Sequence, residues 1–412
     1  MRARSTFLIL FCIVFLATAT SGRAERLLPL AEGDMAPTDL VTQYEPKNLR
    51  PVSHDPVQFA WQLEPGQALV AQPEVPTASS RSYHLLVTAA ELSRGVTLAI
   101  TAPGAVVRIN PTPSDSGFGS DIDPTDLMII SPDGTKLSSA EATSALVDAA
   151  AMKQAGAPFA EGTSAFRIAP ALGTGDFTLQ STSVEQIPEG RFAIHVFEPE
   201  SPFALTAQAS RTSYLSGDEV EASFALEGHD SIEIASATVT LRTPDGRSLA
   251  ARIKGTSGTE LTAQATLPAM SKLSPGLWEV HATVTAHAGA HTVRRDVHTA
   301  FAVAAPTARF TGDVSFERGE ESLRATLPVE VSAAGRYEAR VVLVAVGNDG
   351  QTHALATAHS AAYFPSGVND LVLELPTGHA PLGSRLELRD LQLLDQGRLG
   401  ELHRQAIAAA LD

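Results

Sequence analysis

The chain has one cysteine and two tryptophans, and aromatic residues make up only 6% of it. The cysteine, Cys12, sits in an N-terminal apolar run, so removal of that run leaves no sulfhydryl: disulfides and thiol nucleophiles are both excluded. The scarcity of aromatics argues against a cleft lined by stacked Trp or Tyr platforms. Past residue 24 no apolar run approaches the roughly 18–20 residues of a membrane span. Positive charge is also short. Thirty Lys and Arg face 46 Asp and Glu, a net charge of −16, which argues against nucleic acid and anionic membrane surfaces as partners. Hydrolase signatures are absent too. There is no Gly-x-Ser-x-Gly elbow, since Gly255-Thr256-Ser257-Gly258 is one residue short of it. His-x-x-x-His with an intervening Glu does not occur.

What is present begins with a leader. Arg2 and Arg4 precede an unbroken apolar run from Phe7 to Ala17, and small residues lead to Gly22-Arg23-Ala24. This is the pattern of a secretory signal peptide over residues 1–24, cleaved after Ala24. Export to the periplasm or the exterior follows as the expectation. About 390 residues then remain, enough for about three domains.

Those residues read almost entirely as strands. Leu98 and Ile100 alternate with Thr97, Ala99 and Thr101, and Val239 and Leu241 alternate with Thr240 and Arg242. Such period-two runs predict antiparallel sheets with one face buried. Ser131-Pro132-Asp133-Gly134, Thr243-Pro244-Asp245-Gly246 and Gly347-Asn348-Asp349-Gly350 mark hairpin turns. One short helix is expected at about 138–154, from a Ser138–Glu141 capping box, apolar positions at Ala142, Leu146, Ala149 and Ala150, and Gly156 beyond them. Proline-punctuated breaks at 197–202 and 303–307 divide the chain. The expected layout is a proline-rich extended arm over 25–80, laid in part on the first domain, then a β-rich domain over 81–200 and sandwiches over 203–304 and 307–412. The fold class is mainly β, tandem antiparallel immunoglobulin-like sandwiches.

In the middle domain, Tyr214-Leu215-Ser216-Gly217-Asp218-Glu219-Val220 and Pro275-Gly276-Leu277-Trp278-Glu279-Val280 resemble the Tyr-x-x-Gly-Asp/Glu-x-Val and Pro-Gly-aromatic-x-Val patterns of bacterial immunoglobulin-like and macroglobulin-type domains. In such a sandwich Trp278 fills the core. The last domain opens with Phe310-Thr311-Gly312-Asp313-Val314 and ends with Leu388-Arg389-Asp390-Leu391-Gln392-Leu393 and Gly400-Glu401-Leu402-His403-Arg404-Gln405. With the three-part layout, this resembles an exported proteobacterial family catalogued as domain of unknown function 4785. The resemblance implies a β-rich N-terminal domain followed by two sandwiches, and supplies no catalytic residue.

Two groups of residues could hold a metal. Asp115, Asp121, Asp123 and Asp126 crowd a Gly/Ser loop, with Asp133 soon after. Calcium takes six to eight oxygen ligands, so Asp121, Asp123 and Asp126 are the candidate calcium ligands. The competing reading is an acidic loop whose carboxylates cap turns. His281 and His298 would pair across two strands, as would His287 and His291, giving two ligands at most where zinc needs three or four. The functional expectation is a non-catalytic exported protein that binds a protein or glycan through its surface, with the loops over 81–200 as the recognition element. The alternatives are a hydrolase, or a hydrolase subunit, with its site around Asp121, Asp123 and Asp126, and a periplasmic assembly factor lending a sheet edge to a client strand.

Overall fold

A computed structural model describes residues 23–41, 52–64, 66–67, 74–114, 117–118, 121–181, 190–228, 232–270, 273–378, 380–381 and 383–411. Residues 1–22 of the leader and Asp115 of the acidic loop lie outside the described residues. The chain divides into two units, residues 73–306 and residues 1–72 with 307–412. Among the described residues both are built from antiparallel sheets, with one short parallel pairing, Ser213–Leu215 beside His291–Ala304.

Residues 73–306 contain two sandwiches. In the first, a four-stranded sheet has Leu127–Ile130 and Gly175–Ser181 at its centre. It packs on a five-stranded sheet centred on Val106–Pro111. Alternate residues meet in the core, among them Leu98, Ile100, Ile109, Ile129, Phe177 and Phe192. The second sandwich closes over Leu205, Phe224, Val280 and Phe301, and Trp278 is buried among them at 2% exposure. Tyr214 is buried there as well. Its hydroxyl accepts a hydrogen bond from Arg211 N (3.0 Å) and lies 2.9 Å from Ser210 Oγ. The Asp-Gly turns form as their chemistry requires, with Gly134 at φ 85° and Gly350 at φ 80°.

The two sandwiches of this unit share buried polar contacts. Arg295 and Glu198 form a fully buried ion pair at 2.7 Å. Arg295 also donates to Phe203 O, Ser201 Oγ and Thr101 Oγ1, and Glu198 accepts from Ala102 N at 2.9 Å. Nearby, Asp296 Oδ2 accepts from His84 N at 2.6 Å and lies 2.9 Å from His84 Nδ1. His195 stacks on His84, with ring centroids 4.3 Å apart.

The helix expected over 138–154 is divided in two. α2, Ser139–Ala142, carries the foreseen capping box, with Glu141 Oε2 accepting from Ser138 N (2.9 Å) and Oγ (2.7 Å). The chain then extends as Thr143–Val147 and pairs with Ser164–Ile168, Leu146 opposite Phe166. β-Branched Thr143 and Val147 favour this, and an edge strand in reach supplies main-chain partners that helical periodicity does not reveal. α3, Ala149–Gln154, restarts at Asp148, whose Oδ1 accepts from Ala151 N at 2.7 Å. A further helix, α1, Ala89–Arg94, opens on a Thr88–Glu91 capping box.

The second unit corrects the placement of the arm. β1, Arg23–Arg26, pairs with Asp313–Arg318, and β2, Val57–Gln62, pairs with Thr352–Phe364. The arm thus completes the C-terminal sandwich rather than resting on the first domain. Residues 28–35, between the two strands, are tied down as well. Met35 is buried and exchanges two main-chain hydrogen bonds with Arg404, each 2.8 Å. Gln405 Nε2 donates to Leu28 O, and Asp34 Oδ1 accepts from Ala406 N. Ala78–Ser80, within the same expected arm, instead forms the edge strand beside Ala204–Ala209 of the middle sandwich. Proline density marked these residues as extended, but the partner of an extended segment is not a local property.

Candidate binding site

The sequence Val57-Gln58-Phe59-Ala60-Trp61-Gln62 has no charge, no proline and a β-branched or aromatic residue at every odd position. It forms the outermost strand of a five-stranded sheet, followed in order by Thr352–Phe364, Gly335–Val346, Arg385–Asp395 and Gly400–Leu411. Period two puts Val57, Phe59 and Trp61 on one face. They remain 45%, 39% and 56% exposed, so one of the two tryptophans in the chain is presented to solvent. Leu63 N donates to Leu355 O directly opposite. By antiparallel alternation, the main-chain groups of Gln58, Ala60 and Gln62 then point away from the paired strand.

The rings form a cluster. Phe59 and Trp61 lie 4.6 Å apart at 58°, and His359, opposite Phe59 in the ladder, stacks on Phe59 at 4.8 Å and 22°. Trp61 meets the same imidazole edge-on at 5.8 Å. One strand further in, Glu338 is buried and fully occupied. Its Oε1 accepts from Arg340 Nε (2.8 Å) and His359 Nδ1 (2.9 Å), and its Oε2 from Arg340 Nη2 (3.1 Å) and Gln396 Nε2 (2.6 Å). Burial pushes the Glu338 carboxyl up, but the hydrogen bonds from Arg340, His359 and Gln396 outweigh it and hold the group below its usual value. A carboxylate held ionised, with every lone pair engaged, serves as a brace for His359 and Arg340 and is a poor general acid. Arg336 clamps the approach to β2: its Nη1 donates to Ser53 O (2.9 Å) and Asp55 O (2.7 Å), and its Nε to Gln396 Oε1 (2.8 Å). Between those two carbonyls, His54 stacks on Tyr363 at 3.7 Å.

The residues singled out in the sequence lie elsewhere. Asp123 caps the short turn Pro124–Asp126, its Oδ1 accepting from Thr125 Oγ1 (2.7 Å) and Thr125 N (2.9 Å); these bonds hold its carboxyl below the usual value. Asp133 does the same in its own turn, accepting from Ser131 Oγ and Thr135 N. Asp121 borders a half-open cleft of about 680 Å³ with Met152, Lys153, Phe159, Glu161 and Gly162. Among the described residues, no group of three His, Cys, Asp or Glu side chains is arranged to hold a metal ion. His281 does face His298 across the ladder, rings 4.9 Å apart, and its Nε2 lies 2.7 Å from Glu279 Oε2. His287 stands opposite Thr292 rather than His291. Sequence reasoning passed over the aromatic face because it weighed the number of aromatics and not their spacing: Phe59 and Trp61, two apart in an uncharged run, were the available signal.

Comparison with known proteins matches three consecutive segments of the chain. Residues 48–198, 201–304 and 307–412 match, in order, the N-terminal, central and C-terminal domains described as domain of unknown function DUF4785. The crystal structure of a protein of that description from Legionella pneumophila superposes with a TM-score of 0.70 at 22% identity, over 91% of this chain and 98% of that one. That likeness is one of fold. The native α-2-macroglobulin of Escherichia coli aligns over 82% of this chain and 20% of its own at 9% identity, with a TM-score of only 0.28. None of the curated proteins compared with the chain matches it.

Proposed function

The chain belongs to the DUF4785 family, whose domains are described as of unknown function, and we propose that it is an exported, non-catalytic protein that binds through the aromatic face of its C-terminal sandwich. The observation that carries this reading is the exposure of Val57, Phe59 and Trp61 together on one face of β2, beside a braced polar network. Contiguous exposed apolar side chains mark interaction sites in soluble proteins, and tryptophan is over-represented among residues that dominate binding energy. The saturation of Glu338 and the turn-capping role of Asp123 support a binding role over hydrolysis. Export rests on the leader, and cleavage after Ala24 would keep the pairing of Glu25 and Arg26 with Val314 and Asp313.

The test compares co-sedimentation of residues 25–412 with isolated bacterial envelopes for the wild type and for Trp61→Ala. Retention that falls several-fold in the variant, at an unchanged melting temperature, supports the reading. Equal retention of both proteins removes this face as the site. N-terminal sequencing of the secreted product should begin at Glu25.

A further inference from the structure

We propose that the Phe59–Trp61 face takes a neutral, flat saccharide chain of the β-1,4-linked glucose or N-acetylglucosamine type; this rests on the binding-face reading above. The size of the patch separates a saccharide from a folded protein. Buried aromatic side chains contribute about 150–250 Å² each. The exposed fractions of Phe59 and Trp61 therefore amount to roughly a quarter of the ~800 Å² per partner in a stable protein interface. A sugar ring needs only one or two such faces, onto which its C–H surface packs.

The polar surroundings fit the hydroxyl rim of the same ligand. Arg340 commits Nε and Nη2 to Glu338, while its side chain is 44% exposed and its Nη1 has no hydrogen-bond partner among the described residues. It sits in register opposite His359, which is in turn opposite Phe59. Two strand spacings, about 10 Å, thus separate the aromatic row from a donor of fixed orientation, close to the length of a disaccharide. The outer face of a sheet offers no groove to enclose a coiled chain, which favours a flat ribbon with equatorial hydroxyls. Charge selects among ribbons. β2 carries no cation, Arg340 is neutralised by Glu338, and the chain bears −16 overall, so a polyanion is disfavoured.

The two tryptophans make the test direct, because Trp278 is buried and Trp61 is not. Residues 25–412 are titrated with cellotetraose, chitotetraose and maltotetraose, following Trp61 emission and, in parallel, heat by calorimetry. A saturable response to cellotetraose or chitotetraose, at least tenfold weaker for the coiled maltotetraose, is expected. Trp61→Ala should weaken it about tenfold by calorimetry, Trp61→Phe should restore most of it, and Arg340→Gln should weaken it a few-fold with the melting temperature kept. No saturable response to either flat tetramer, or a response untouched by Trp61→Ala, overturns the saccharide. If envelope binding still depends on Trp61 in that case, the face stands and its ligand is an extended peptide adding beside Gln58, Ala60 and Gln62. If envelope binding is also independent of Trp61, both readings fall.

Discussion

Arg295 and Glu198 show what a single buried charge demands of its surroundings. Each is fully enclosed, and between them they use Thr101, Ala102, Ser201 and Phe203. Removing one partner strands the other, so Arg295→Ala should cost about 3–5 kcal/mol, read by urea denaturation of residues 73–306. Two imidazoles give a pH dependence. Burial, aided by His84 and Arg108, lowers His195 to about 4, and burial lowers His403 to about 4. In the unfolded chain both return to about 6.5. Between these values the unfolded chain takes up protons that the folded chain refuses. Stability is therefore full above about pH 6.5 and falls as the pH drops toward 4. For the deeply buried His403 the loss at pH 4.5 should reach about 2 kcal/mol; for His195, partly exposed and screened, it should be smaller. Melting curves from pH 7 to 4.5 check this, and His195→Gln and His403→Gln should each flatten the slope. The acidic loop has its own assay. Calcium held by Asp121, Asp123 and Asp126 would raise the melting temperature over that in EDTA by several degrees, a rise that Asp121→Asn with Asp123→Asn abolishes; an unchanged value retires the ion.

Among the elements, β2 is held at its approach by one side chain outside it. Arg336 holds the carbonyls of Ser53 and Asp55 just ahead of the strand. Arg336→Ala should therefore speed amide hydrogen exchange in Val57–Gln62 by about tenfold or more while the strands Gly335–Val346 and Arg385–Asp395 keep their protection. The same element shows where sequence stops being legible. Alternation, the Asp-Gly turns, the breaks at 197–202 and 303–307 and the buried Trp278 could all be read because each is encoded within a few residues. The Ser138–Glu141 capping box was legible for the same reason. The division of α2 from α3 was not, because it depends on Ser164–Ile168 lying alongside Thr143–Val147. β2 was less legible still: its partner is some 300 residues away, and no local pattern identifies it. The aromatic face inherits that difficulty, since Phe59 acquires His359, which Glu338 braces, only through the pairing.

At the scale of the whole molecule, the expected cut at 307 separates a sandwich from two of its own strands. Residues 73–306 should unfold alone in a cooperative transition. Residues 307–412 alone should melt lower, or aggregate through the uncovered edges of Asp313–Arg318 and Thr352–Phe364. Adding residues 23–62 as a peptide should raise that melting temperature; no rise in calorimetry would show that the arm is dispensable. The arm also sets a timetable. A ribosome makes residues 23–62 long before 400–411, yet Gln405 reaches back 377 positions to Leu28. Loop closure costs only about 0.6 kcal/mol more per doubling of length, so the finished contact is affordable, but it cannot begin until Gly400–Leu411 emerges. Until Thr352–Phe364 emerges, the uncharged Val57–Gln62 segment is likewise an orphan. A chain released early leaves it so permanently, and a chaperone or protease that recognises such segments could tell a truncated copy from a finished one.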